Sequence, residues 1–188
     1  MGFNISEFRG ELTYGGQRTT LFDVQLTFPP LIGQGAGRKF SFTCQATETP
    51  ESNVGVIGVA YKGRRIPYAG DRQFGSWQVN VINDEDWVVR NAFEDWSNMI
   101  NARERNIRQT PTSHPYHYKA KGLVKQYSRV NDNTPIRYYE FTDAWPSSVG
   151  GMQLTWEGID QIQTFGIRFE YTWWDKAGPT VAGAFAAS

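Results

Sequence analysis

The sequence is short of the residues that carry most enzyme and metal chemistry. Cys44 is the single cysteine among 188 residues, which rules out an intrachain disulfide. Histidine occurs twice, as His114 and His117 in "HPYH". Zinc needs three or four ligands, and no other Cys, His or ordered acid pair stands near these two. A Ser-His-acid triad would have to draw on one of the same histidines, and the chain contains no G-x-S-x-G. Charge of one sign is lacking as well. Nineteen Lys plus Arg balance nineteen Asp plus Glu, whereas a protein that grips nucleic acid needs a basic excess to neutralise phosphates. No apolar run reaches the roughly 18 residues of a membrane span. The opening "MGFNISEFRGELTYGG" lacks the basic-then-apolar layout of a signal peptide, and it fits an N-myristoylation pattern only loosely. These absences predict a soluble cytoplasmic protein with no cofactor, no metal, no catalytic site and no membrane anchor.

Aromatic side chains and glycine are plentiful. Aromatics make up 15% of the chain and glycine contributes nineteen residues, as expected of strands with large side chains joined by many turns. Hydrophobic residues at 39% against charged residues at 20% exclude a disordered composition. The length favours one domain with arms. Residues 1–19 are polar and read as an N-terminal arm. "TTLFDVQLTFPP" puts Phe22, Val24, Leu26 and Phe28 on one face of a strand that the prolines end. "LIGQGAGRK" reads as a turn joining two strands, so its "GQGAG" lacks the helix that gives a phosphate loop its donors. "KFSFTCQATETP" alternates again, with Phe40, Phe42, Cys44 and Ala46 sharing a face, which makes Cys44 a small core residue rather than a nucleophile. "ESNVGVIGVAYKGRRIPYAG" is apolar and Gly-interrupted, either a long hairpin or a loop with strand character.

The spacing predicts one helix over about residues 84–101. Asn83 or Asp84 serves as N-cap, and Asp84, Glu85 and Asp86 face the positive end of the dipole. Val89, Phe93, Trp96 and Ile100 form one apolar stripe, and Arg103 and Arg105 follow the C-terminal end. The acids therefore have a local structural role without any catalysis. Further strands are expected in "YKAKGLVKQYSRV", "IRYYEFTDAW", "MQLTW" and "IQTFGIRFEYTWW", where Phe165, Ile167, Phe169 and Tyr171 alternate. Turns are expected at Asn131-Asp132-Asn133 and "PSSVGG". The Gly- and Ala-rich residues 176–188 read as a flexible tail. Seven or eight strands around one helix define a mainly β (α+β) protein, an antiparallel β-sandwich or small barrel with one flanking α-helix.

The basic clusters are Lys62-Arg64-Arg65 and Arg103-Arg105-Arg108. The first lies beside Tyr61 and Tyr68, a composition that suits single-stranded nucleic acid, a blunted strand edge or an acidic protein partner. Zero net charge favours protein contact.

The order of these pieces resembles a known family. "FTCQAT", "VAYKGRRIPYAGDRQFGSWQVNVINDED", "VVRNAFEDWSNMI" and "YYEFTDAWPSSVGGMQLTWEGIDQIQTFGIRFEYTWW" are similar to the tail tube proteins of contractile-tailed, T4-like bacteriophages across about residues 20–175. The arm, the "ARERNIRQTPTSHPYHYKAKG" connection and the tail depart from the pattern. The resemblance implies a β-sandwich or small barrel related to the Hcp ring proteins of type VI secretion. It implies six copies to a ring, rings stacked into a hollow tube between baseplate and tail terminator, a surrounding sheath protein, and a lumen that passes the tape measure protein and viral DNA without specific binding. The location implied is the virion tail, assembled in host cytoplasm. On this reading Asp71 and Arg72 fix a turn, Phe74 and Trp77 support the strand behind it, and Phe93 and Trp96 pack opposite. Tyr61, Lys62, Arg64, Arg65 and Tyr68 become candidates for ring-to-ring contact. Rival readings are an Hcp-like secretion tube, a baseplate or terminator relative, and a carbohydrate-binding β-sandwich.

Overall fold

The computed structural model describes residues 5–12, 15–30, 32–33, 35–108, 114–130 and 135–177. In chain order these form α1 (Ile5–Glu11), β1 (Phe22–Leu26), α2 (Ala36–Thr43), β2 (Cys44–Thr47), β3 (Asn53–Tyr61), β4 (Arg64–Gln73), β5 (Trp77–Ile82), α3 (Val88–Ile100), a 3₁₀ turn (Pro115–His117), β6 (Ala120–Tyr127), β7 (Pro135–Val149), β8 (Thr164–Glu170) and β9 (Trp173–Ala177). The class is mainly β, with three α-helices among the described residues rather than one.

One antiparallel sheet runs β1-β6-β7-β8-β5-β2, with β9 added on β7. The long β7 belongs to two half-sheets. Its N-terminal part pairs with β6 and β9, and its C-terminal part pairs with β8. Asp143, at φ 61°, marks the corner. The half-sheets meet through Trp77 of β5, which stacks on Phe141 of β7 (centroids 4.4 Å, 10° between planes) and on Phe169 of β8 (4.9 Å). Its indole N–H donates to Thr47 Oγ1 at 2.8 Å, so the one polar atom of a buried ring is satisfied. Among the described residues the path ends on β1 and β2, which do not pair with each other, so these strands do not close into a barrel within one chain.

α2 and α3 complete the core. Phe93 and Trp96 of α3, both fully buried, meet Phe40 of α2, Phe28 and Phe169 at centroid separations of 5.1–6.4 Å. The stripe of Val89, Phe93 and Trp96 is buried and Ile100 packs against its edge.

Several local expectations need correction. Residues 36–43 are a helix, not a turn and strand, so the "GQGAG" segment does open one. Gly35 takes φ 85° at its start, a conformation open to glycine. Ala36 and Phe40, four residues apart, then point inward while Phe42 is 80% exposed, an arrangement of helical period and not of alternation. Cys44 begins β2 and packs against the core. Burial pushes its thiol up to about 12, which removes it as a nucleophile at neutral pH.

α3 starts at Val88, four residues later than predicted, behind Trp87 at φ 56°. The acids ahead of it do different work. Asp84 accepts the Glu85 N–H, Asp86 accepts the Val88 N–H, and both bind Lys39 of α2. "MQLTW" is no strand. Residues 150–163 form a loop, because β7 runs on through "PSS" with a register shift between Pro146 and Ser148 that accommodates the proline. β9 continues to Ala177 by pairing with Tyr138 and Tyr139, past the start expected for the tail. The rest of that tail and the Asn131-Asp132-Asn133 turn lie outside the described residues.

Candidate assembly surface

Among the described residues β3 and β4 pair only with each other. The turn between them is Lys62-Gly63, with φ 44° and 80°, a two-residue loop with positive φ at both positions, which matches the right-handed twist of its strands. Tyr61 opposite Arg64, Val59 opposite Ile66 and Ile57 opposite Tyr68 set the register. Opposed and alternating residues share a face. One face of the ribbon therefore carries Ile57, Val59, Tyr61, Arg64, Ile66 and Tyr68. The other carries Val56, Gly58, Ala60, Arg65, Pro67 and Ala69. On that second face the Arg65 side chain lies across Gly58, where a β-carbon would stand 2.7 Å from Nε.

The first face is apolar and open. Ile57, Val59, Tyr61 and Tyr68 are 48–61% exposed. Lys62 Nζ sits 5.5 Å from the centroid of the Tyr61 ring, a cation–π contact at the tip. Among the described residues the contacts that fix the ribbon lie at its base. Arg72 donates to Ser52 Oγ at 3.0 Å, Phe74 lies edge-on to Tyr171 at 6.1 Å, and the Trp174 indole donates to the Glu51 carbonyl at 3.2 Å.

The residues singled out from sequence thus fall in two places. Tyr61, Lys62, Arg64, Arg65 and Tyr68 cluster on the outer half of the ribbon. Trp77, Phe93 and Trp96 are buried in the core, with Phe74 half-buried beside it. Asp71 and Arg72 do not fix a turn. They lie within β4, where a bulge opposite Gly55 absorbs the extra residue, and the turn stands at Lys62-Gly63.

A second open apolar surface went unread in the sequence. In the loop between β7 and β8, Leu154, Trp156, Ile159 and Ile162 are 73–103% exposed. Their spacing of two, three and three follows neither a strand nor a helix, and that irregularity in an apolar, Gly-flanked segment was the available signal. The loop is shaped by its own bonds: the Glu157 N–H donates to Thr155 Oγ1 and the Ile159 N–H to the Glu157 carbonyl.

Among the described residues no group of three His, Cys, Asp or Glu side chains is placed to hold a metal ion, and no helix is long and apolar enough to cross a membrane. His114 and His117 are exposed, their rings 6.1 Å apart.

A well-packed β core that leaves a free apolar ribbon, a free apolar loop and, among the described residues, unpaired strand edges at β1, β2 and β9 defines a class: a structural subunit made to meet other chains. Residues 17–177 match the family of phage tail tube proteins, and the chain belongs to that family. It is 34% identical over 158 residues to tail tube protein gp19 of Enterobacteria phage T4, covering 84% of this chain and 90% of that one. Its fold is similar to a chain of the tube-terminating cap of the anti-feeding prophage (TM-score 0.62, 13% identity, 89% of this chain and 94% of that one). It is also similar to a chain of the sheath–tube complex of an extracellular contractile injection system, PVC (TM-score 0.57, 11% identity, 95% and 100%). The family is structural and non-enzymatic, and its place is the virion tail.

Proposed function

We propose that six copies of this chain close into a ring, that rings stack into the hollow inner tube of a contractile phage tail, and that this tube conducts viral DNA into the host during ejection. The observation that carries the reading is the β3–β4 ribbon. A lone two-stranded ribbon is marginal in water, and this one keeps an open apolar face on a chain whose core is already complete. Its outer half, where Tyr61, Lys62, Arg64, Arg65 and Tyr68 cluster, makes the ring-to-ring contact through the face that carries Tyr61, Arg64 and Tyr68. The unpaired edges β1 and β2 suit closure between neighbours, since a head-to-tail interface that repeats and closes makes a ring and strand pairing across it consumes the edges.

Residues 20–175 build the tube wall and residues 1–19 form an arm. Sheath protein surrounds the tube, baseplate and terminator bound it, and assembly occurs in the host cytoplasm. The tape measure protein and then DNA occupy the lumen without specific binding. Zero net charge supports that passage, because each phosphate neutralised would add binding and slow transit.

Negative-stain microscopy of the purified chain, concentrated at low and high salt and with baseplate-like seeds added, tests the reading. Hollow tubes with sixfold end views are expected. Monomers alone under every condition, or single rings that never stack, would overturn it and favour a terminator or cap.

A further inference from the structure

The two open apolar surfaces differ in charge. The ribbon carries Lys62, Arg64, Arg65 and Arg72 against the single acid Asp71. The β7–β8 loop, residues 151–163, carries Glu157 and Asp160 and no basic residue. The loop also frames an open cleft of ≈ 410 Å³ bounded by Leu154, Trp156 and Ile162, room enough for an aromatic ring. Trp156 is fully solvent-exposed, which is a costly way to leave the largest apolar side chain unless something covers it.

We infer that the acidic, tryptophan-bearing loop 151–163 is the socket for the β3–β4 ribbon of a second copy of this chain. The inference rests on the assembly reading above and supplies the receiving half of its contact. Two unlike patches that fit each other form a heterologous interface, which propagates from copy to copy instead of stopping at a dimer. Tyr61 and Tyr68 enter beside Trp156, and Arg64, which shares their face of the ribbon, meets Glu157 and Asp160. Buried aromatic residues and arginine are the side chains on which such interfaces depend most, and opposite charge fixes the register. Arg65, on the other face, stays outside the contact.

A charge exchange in the full-length chain tests the pairing. Arg64→Glu alone, and Glu157→Lys with Asp160→Lys alone, are each expected to raise the protein concentration needed for tube formation by at least about tenfold. The triple variant is expected to recover most of that loss, and Arg65→Glu to change it little. Trp156→Ala is expected to prevent stacking while the thermal transition of the monomer stays in place, since the side chain is fully exposed in its own copy. A triple variant as poor as its parents, or a Trp156→Ala chain that builds tubes at the wild-type concentration, would overturn the pairing while leaving tube formation by the wild type intact. Failure of the wild-type chain to form tubes would instead sink the assembly reading, and the pairing with it.

Discussion

Gly122 leaves room for Trp77: a β-carbon on it would stand 2.6 Å from Cζ3 of the indole. The glycine lies on β6 and the tryptophan on β5, in opposite half-sheets, so this approach sets how closely the two layers stack around the Trp77–Phe141 pair. An added methyl would have to move a ring that is 2% exposed and already stacked on two others. Gly122→Ala is expected to cost ~1–3 kcal/mol, the usual range for overpacking, and Trp77→Ala ~3–5 kcal/mol through the cavity it leaves. Urea unfolding followed by far-UV circular dichroism measures both. A Gly122→Ala chain as stable as wild type would mean that the layers can separate freely.

Gly63 holds φ at 80° beside Lys62 at 44°. A side chain in that left-handed conformation costs ~1–2 kcal/mol. Gly63→Val should therefore loosen the ribbon tip, while Lys62→Asn should preserve or firm it, because asparagine accepts this geometry and Asn-Gly is the favoured pair for such turns. The ribbon is tied to the body only at its base, so neither change should move the main unfolding transition. The NMR chemical shifts of Tyr61 and Arg64 report the tip directly. Equal shifts in Gly63→Val and wild type would argue against this turn.

The strands with clean alternation were legible in the sequence because burial on one face writes a period of two. Trp77, Val79 and Val81 on β5, and Phe165, Ile167 and Phe169 on β8, are all buried. The α3 stripe was legible for the same reason at a helical period. α2 was misread because Phe40, Phe42 and Cys44 alternate by coincidence, while the helical pair Ala36 and Phe40 is too short a pattern to outweigh them. The corner in β7 left no signal, since Asp143 is an ordinary surface residue until two half-sheets must share one strand. The ribbon's basic and aromatic tip was visible as composition, but its division into two faces, with Arg64 on one and Arg65 on the other, required the register. Trp156 reads in the sequence as the end of a strand and as part of a motif, because exposure of an apolar residue is a property of the fold.

Lys39 joins α2 to the turn before α3 by binding Asp84 and Asp86. Its hydrogen bonds hold both carboxyls below the usual carboxylate range, helped by the Glu85 and Val88 amides, and the two acids in turn push Lys39 above the ordinary lysine value. The carboxylates' contribution is full above their unfolded value of about 3.9 and fades as pH falls through their lower folded values. The lysine's contribution is full below about 10.4 and fades as pH rises through its higher folded value. Between these limits the clamp does not respond to pH. Lys39→Met is expected to melt slightly below wild type at pH 7, and the gap should close as the pH approaches about 2. Scanning calorimetry across that range is the check, and a gap that persists in acid would show that lost packing of the lysine stem, not the ion pair, is responsible.

The β3–β4 ribbon should be the least protected ordered segment of the free chain and among the most protected of the assembled tube. Its hydrogen bonds connect two strands with water on both faces, so local opening needs no disruption of the core. In dilute solution the amides of Val56–Tyr61 that bond across the ribbon are expected to exchange within about tenfold of the unfolded-chain rate. Those of β5 and β8, buried beneath α3, should exchange only through global unfolding. Docking a second copy on the Ile57–Tyr68 face removes that water and couples opening of the ribbon to dissociation, so protection should rise by orders of magnitude on assembly. Hydrogen–deuterium exchange with mass spectrometry on free and assembled protein reads both states. Ribbon amides as slow as those of β8 in the free chain would mean that the hairpin is stable without a partner, which removes the main physical reason for assigning it one.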